Sequence, residues 1–260
     1  SDSEVDRYQT ATDGWPAALQ CIRLSMRGRT GRARALPASG VTPDLIDFLA
    51  TDVFENLSAD FQRVLLEACM PERICPELLE HVSGRPDGAH CLDEIEHLGL
   101  FLTPVDMERR WFRFHTVFRQ VLLTRLRREM SETEVLARHK RIAEWYAEHD
   151  FREEAITHYL DAGHEKEAAA LLNAGIERLV GEERLDLIVR YADRLPPEII
   201  QEYEDILNAA IVAYGFRREF AKANRILALR QAALEREGAS QEAWGVHYYT
   251  RIFTTAAQDQ

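Results

Sequence analysis

Along most of the chain apolar residues return every three or four positions, the spacing that gathers them on one face of a helix. Residues 4–36 read as helix broken near Gly14 and Pro16, with Trp15, Leu19, Ile22 and Met26 in phase. Pro37-Ala-Ser-Gly-Val-Thr-Pro43 has the composition of a linker and marks a boundary. The pattern restarts at Asp44, where Leu45, Phe48, Leu49, Val53 and Leu57 form one stripe. Ser58 is placed to cap a helix containing Phe61, Val64, Leu65 and Ala68. Pro76 at a first turn opens a short helix over Leu78, Leu79 and Val82, closed by Gly84. Arg85-Pro-Asp-Gly88 reads as a turn, and a helix from His90 carries Leu92, Ile95 and Leu98 until Gly99.

Between Leu100 and His115 the helical period fails. Leu100-Phe-Leu-Thr-Pro-Val105 and Trp111-Phe-Arg-Phe-His115 are short, aromatic and β-branched, and they flank the polar turn Asp106 to Arg110. This predicts a two-stranded hairpin. Helical spacing resumes with Phe118, Val121, Leu122 and Leu126. Three helices, a hairpin and a helix are the plan of a winged helix.

Beyond Met130 the pattern predicts helices alone. Ser131 and Glu134 have capping-box spacing ahead of a helix to about His149, with Ile142, Trp145 and Tyr146 inward. Asp150 is expected to cap the next helix, Phe151 to about Ala162, ended by Gly163. Residues 165–180, 184–194, 197–214 and 218–236 continue the theme, with a last helix from about Gln241. Trp145, Glu154-Ala155, Tyr159 and Ala162-Gly163 put small and aromatic residues where paired helices of a tetratricopeptide-type solenoid meet. Similar phrases recur irregularly, so the expectation is a degenerate array without a strict repeat. The fold class is then mainly α: a winged-helix domain with a small β-hairpin, followed by a tetratricopeptide-like α-helical array. Its expected divisions are residues 1–36, 43–130 and 131–260.

Composition narrows the functions. With 260 residues and 46% apolar positions the chain is long enough for a sizeable core without staples. Its 44 acidic against 32 basic side chains give a net charge of -12, which opposes nonspecific binding to nucleic acid or an anionic membrane surface. Cys21, Cys69, Cys75 and Cys91 form no Cys-x-x-Cys pair, so neither a disulfide framework nor a zinc site is signalled and a cytoplasmic compartment fits. No apolar run has the length of a membrane span, and Ser1 to Arg7 is acidic where a signal peptide would be basic. The absence of an initiator Met, with both ends in helical surroundings, suggests a piece excised from a longer protein.

Few residues signal chemistry. A P-loop, Gly-x-x-x-x-Gly-Lys-Ser/Thr, is absent, and the lysines are Lys140, Lys166 and Lys222 alone. Nucleophile elbows, His-Glu-x-x-His helices and calcium loops are absent too, so the chain by itself is not expected to be an enzyme. A winged helix invites a DNA reading through the helix before its hairpin. Here that helix carries Asp93, Glu94 and Glu96 and no lysine or arginine, which sets like charge against phosphate. Arginines 23, 27, 29, 32 and 34, and arginines 109, 110, 113, 119, 125, 127 and 128, read as solvated faces or contacts to an acidic neighbouring domain, with nucleic-acid contact the lesser reading. The spacing of His81, His90, Cys91 and His97 matches no metal site. His115 enters a helix whose unpaired amides suit a phosphate, although by itself a packed or solvent-facing histidine is the better reading.

Several blocks together resemble one family. They are Thr12-Asp-Gly-Trp-Pro-Ala-Ala-Leu-Gln20, Ile95-Glu-His-Leu-Gly-Leu-Phe-Leu102, Trp111-Phe-Arg-Phe-His-Thr-Val-Phe118, His139-Lys-Arg-Ile-Ala-Glu-Trp-Tyr146 and Glu154-Ala-Ile-Thr-His-Tyr-Leu-Asp-Ala-Gly163. In this order, over residues 8 to 175, they resemble the large ATP-binding regulators of the LuxR family, the MalT-like signal-transduction ATPases. The resemblance implies the middle of such a protein: the end of a small helical domain, the winged helix, and the first helices of a sensor. A P-loop domain before it and a LuxR-type helix-turn-helix after it would lie outside this chain.

By position, the resemblance assigns Pro16 to a Gly-x-Pro motif near the adenine and His115 to a histidine that touches the β-phosphate of ADP. Both would be nucleotide contacts in the full-length protein only, so ATP or ADP is its cofactor and this segment needs none. The partners implied are neighbouring domains of the same chain, an inducer at the sensor, and further copies in a self-associated active form. DNA would be reached only through the helix-turn-helix. A free-standing helical scaffold that binds a protein or peptide is the alternative reading, and DNA binding by the winged helix the lesser one.

Overall fold

The computed structural model describes residues 54, 55, 57–237, 245, 250 and 251. The expected helix over 4–36 with Pro16, the linker at 37–43, the stripe from Leu45 to Val53 and the arginines of 23–34 lie outside the described residues, as does most of the helix from Gln241. Among the described residues are eleven α-helices and one two-stranded antiparallel sheet, so the mainly α class with a small hairpin holds. The chain divides into two compact units, one up to Ile142 and one from Ala143.

The first unit contains α1 (Ala59–Ala68), α2 (Pro76–Ser83), α3 (Gly88–His97), β1 (Leu102–Pro104), β2 (Phe112–Phe114) and α4 (Thr116–Glu129). Ser58 caps α1 as its position predicted, its hydroxyl accepting the Phe61 amide at 3.3 Å. Pro76 is the first residue of α2, where its missing N–H costs nothing, and Gly84 ends the helix at φ +74°. α1 packs on α2 and α4, and α2 on α3. Leu65, Leu78, Leu79, Leu92 and Leu122 are fully enclosed. Truncating any of them to alanine would cost about 2–5 kcal/mol.

The helix expected from His90 begins two residues earlier, at Gly88. The Glu80 carboxylate accepts the Gly88 amide at 3.0 Å, so a glutamate from α2 does the work of a cap. A Cβ at Gly88 would lie 2.3 Å from the Pro76 carbonyl oxygen, and only glycine allows this approach.

The hairpin pairs Leu102 with Phe114, Thr103 with Arg113 and Pro104 with Phe112. Leu102, Phe112 and Phe114 point inward while Thr103 and Arg113 face solvent, the period-two alternation of a half-buried sheet. Ile74, between α1 and α2, adds a bridge that the sequence did not announce: it exchanges backbone hydrogen bonds with Phe112 at 2.9 and 2.8 Å.

α5 (Glu132–Glu148) contains the division between the units. Its capping box forms as expected, with the Ser131 hydroxyl accepting the Glu134 amide and the Glu134 carboxylate accepting the Ser131 amide. Ile142, Trp145 and Tyr146 are buried. In the second unit follow α6 (Arg152–Asp161), α7 (Glu165–Gly181), α8 (Leu185–Ala192), α9 (Pro197–Gln201), α10 (Glu204–Phe216) and α11 (Phe220–Glu237). α7 packs against α6, α8, α9 and α10, and α10 against α11, around Leu172, Ile176, Ile188, Ile206 and Ile211.

Two sequence expectations change here. Asp150 does not cap α6. It sits at φ +63° beyond α5, while the Phe151 amide donates to the Tyr146 carbonyl at 2.9 Å, so it ends one helix and does not begin the next. The single helix expected over 197–214 is two, because Tyr203 is extended between α9 and α10 and packs on the core.

Candidate functional site

His115 joins β2 to α4. Its amide donates to the Phe101 carbonyl at 2.8 Å, and its carbonyl accepts the Arg119 amide at 2.9 Å. The ring Nδ1 accepts the Val117 amide at 3.4 Å, so the imidazole is the N-cap of α4. An Nδ1 that accepts a hydrogen bond places the proton of the neutral ring on Nε2. The side chain is exposed. Phe118 fixes the start of the helix from below, with ring centroids 5.2 Å from Phe101 and 5.9 Å from Phe114. The structure thus sets an exposed imidazole, with Nε2–H as donor, at the positive end of a fourteen-residue helix. Pro16, the other expected contact, lies outside the described residues.

The arginines grouped by the sequence separate into structural and free ones. Arg119 donates to the carbonyls of Cys69 at 2.9 Å and Met70 at 2.8 Å, satisfying acceptors left open where α1 ends. Arg125 pairs with Glu129 at 2.5 Å and Glu55 at 3.1 Å and lies over the Phe54 ring. Arg109 pairs with Glu96. Arg110, Arg113, Arg127 and Arg128 are exposed and make no side-chain ion pair among the described residues.

α3 keeps the acidic character the sequence gave it: Asp93 and Glu94 are exposed, and Glu96 is engaged by Arg109. Between α1 and α3 lies a cavity of about 380 Å3 whose lining includes Phe61, Val64, Leu98, Asp60, Asp87 and Glu94. Arg85 also lines it and bridges Asp87, with two 2.9 Å hydrogen bonds, to Asp60 at 2.6 Å. This arginine holds the Asp87 carboxyl below the usual carboxylate range. Sequence reading missed the cavity, because Asp60 and Asp87 are brought together by tertiary packing. The one local signal was the spacing of Asp87, Cys91, Glu94 and Leu98 along one face of α3.

Cys69, Cys75 and Cys91 are buried free thiols. Burial pushes the Cys69 and Cys75 thiols up to about 12, away from nucleophilic use. A buried ion pair in this unit was also invisible in the sequence: Arg138 donates to the enclosed Glu67 carboxylate at 3.0 Å across seventy-one positions.

Comparison with known proteins bears on this unit most directly. Residues 50–134 match the family described as the MalT winged helix domain. The serine/threonine-protein kinase PknK of Mycobacterium tuberculosis (strain ATCC 25618 / H37Rv) is 33% identical over 199 residues, 76% of this chain and 18% of PknK. The HTH-type transcriptional regulator MalT of Cronobacter sakazakii is 29% identical over 227 residues, 86% of this chain and 25% of that protein. MalT of Klebsiella pneumoniae (strain 342) is 29% identical over 218 residues, covering 83% and 24%. The match is to a winged helix, not to a catalytic domain, and the chain spans a quarter or less of the length of these relatives. Residues 50–134 thus carry the MalT winged helix domain, in a chain that is similar to a part of a regulator and to a part of a kinase.

Proposed function

We propose that this chain is the regulatory middle of a MalT-like, ATP-dependent transcriptional activator. In this reading it couples the nucleotide state of a P-loop domain elsewhere in the protein to a tetratricopeptide-like helical sensor and to self-association. ADP and the winged helix hold a closed form; inducer at the helices beyond Met130 and ATP at the P-loop favour an open form that associates. DNA is reached through a LuxR-type helix-turn-helix and not through α3, whose free carboxylates repel phosphate. The compartment is cytoplasmic. The relatives support a regulatory role in one further way: this segment aligns with a regulator and with a kinase, so the output in each belongs elsewhere in the protein.

The observation that carries the reading is His115. Its Nδ1 is committed to the Val117 amide, which directs Nε2–H as a donor at the start of α4. A β-phosphate there meets that donor and the helix dipole together. Nucleotide supplies the negative charge that this arrangement recognises. In the complete protein His115→Ala is expected to weaken ADP about tenfold, the worth of one charge-assisted hydrogen bond, and to raise inducer-independent transcription. His115→Asn, which keeps a capping acceptor, separates loss of the cap from loss of the phosphate contact. Unchanged ADP affinity in both variants overturns the assignment.

The 260-residue chain, whose sequence contains no P-loop motif, is expected to show no stable ATP or ADP binding by calorimetry. A micromolar constant would contradict its reading as a regulatory middle.

A further inference from the structure

Two features of the winged-helix unit complement each other and lie on opposite sides of α3. The cavity between α1 and α3 is lined by the apolar Phe61, Val64 and Leu98 together with Ser58, His90 and the carboxylates of Asp60, Asp87 and Glu94. Its cation, Arg85, is consumed by Asp60 and Asp87. Glu94 is exposed and its carboxylate has no ion pair among the described residues. The cavity therefore offers a few apolar side chains within a polar lining, with negative charge left over.

The hairpin tip has the opposite character. Met107 is 99% exposed and Val105 45% exposed, with the free guanidiniums of Arg110 and Arg113 beside them on the chain. Of the two carboxylates in the turn, Asp106 is spent on the amides of Arg110 at 2.9 Å and Trp111 at 3.0 Å, leaving Glu108 against the two arginines. Those bonds and the Arg109–Glu96 pair hold the tip in place before any partner arrives, which lowers the entropy lost on docking. Glu94 and Glu96 are two positions apart, about 200° around a helix of 3.6 residues per turn. The tip is anchored on the Glu96 side and the cavity opens on the Glu94 side, so a molecule's own tip does not reach its own cavity.

We propose that the Met107 tip of one molecule seats in the cavity between α1 and α3 of a second copy of this chain, with Arg110 against Glu94. Methionine suits such a seat, being unbranched and flexible enough to reach Phe61, Val64 and Leu98 past the polar side chains while Arg110 meets the negative charge. The contact is heterologous: each copy gives a tip to one neighbour and a cavity to another, so copies join head to tail and either close a ring or continue. It is small, and hence weak, reversible and weakened by salt. It specifies surfaces for the self-association proposed above and rests on that reading.

Sedimentation velocity of the 260-residue chain over a concentration series tests it. The mass is expected to rise with concentration up to about 0.5 mM, within reach of a constant in the high micromolar range, and to fall again in high salt. Met107→Asp and Glu94→Arg, both at exposed positions, are each expected to lower the association constant at least about tenfold with unchanged circular dichroism and melting temperature. Mixing these two variants should give a dimer and nothing larger, since one retains a working cavity and the other a working tip. Glu94→Arg combined with Arg110→Glu should recover association. A chain that stays monomeric throughout the series overturns the proposal, while the nucleotide-switch reading still stands or falls on His115. Oligomers indifferent to all these substitutions overturn the tip-in-cavity contact and leave self-association intact.

Discussion

At Cys69 and Cys75, burial decides chemistry. A thiolate in an apolar interior loses its hydration, and at Cys69 this loss outweighs the pull of the nearby Arg119 guanidinium, so both thiols stay protonated far above their ordinary range, at about 12. The native protein is expected to leave both unmodified by a thiol reagent at pH 8 and to expose them on denaturation; labelling at the unfolded rate would contradict their enclosure. The same shift fixes a pH dependence. Below pH 9 both states are protonated and the stabilisation is complete. Between 9 and 12 the unfolded thiol ionises and the folded one does not, so stability falls as pH rises, by up to about 1.4 kcal/mol per unit for Cys69. Denaturant midpoints measured from pH 8 to 11 check the sign, and Cys69→Ser should flatten the slope.

Among the elements, helix ends carry the distinctive geometry. Asp150, Gly163, Glu183 and Arg218 all have positive φ, and each lies between successive helices of the second unit. Glycine suits that conformation and a side chain does not. Arg218→Gly, at an exposed site after α10, is therefore expected to raise stability by about 0.5–1 kcal/mol, read from chemical denaturation. Gly88→Ala is expected to do the reverse, by about 1–3 kcal/mol, since its Cβ would meet the Pro76 carbonyl.

These ends also explain what could be read in advance. Ser58, Pro76, Gly84 and the Ser131–Glu134 box act through neighbours within a turn, so their roles were visible in the sequence. Phe112 and Phe114 alternated with Arg113, and the hairpin followed. The early start of α3 depends on Glu80 from another helix, and Asp150 takes a conformation set by the end of α5, so local spacing misplaced both. His115 was legible as a helix entry, but its use of Nδ1 as the cap was not. The cavity at Asp60 and Asp87 is a product of tertiary contact and had no sequence signature as a whole.

Taken as a whole, the molecule carries a charge of -12 that is unevenly spread, with free arginines at the hairpin and the end of α4 against free carboxylates on α3. The helix that a winged helix would present to the major groove is the acidic one. Electrophoretic retardation of duplex DNA is therefore expected to be absent at about 150 mM salt, where counterion release no longer supports weak nonspecific binding. Retardation that is lost when Leu92 or Ile95 is left intact and the exposed positions of α3 are changed would place DNA on that helix after all.

The reach of Arg119 back to the carbonyls of Cys69 and Met70 sets an order on folding. Fifty positions of chain separate donor from acceptor. Until α4 docks, the end of α1 must keep water on those oxygens, and the Ile74–Phe112 bridge likewise waits for the hairpin. The winged helix therefore closes late in its own synthesis. The end of α1 remains incompletely satisfied until the segment that follows His115 has been made, and a nascent chain halted before Arg119 holds α1 with its last carbonyls unmet.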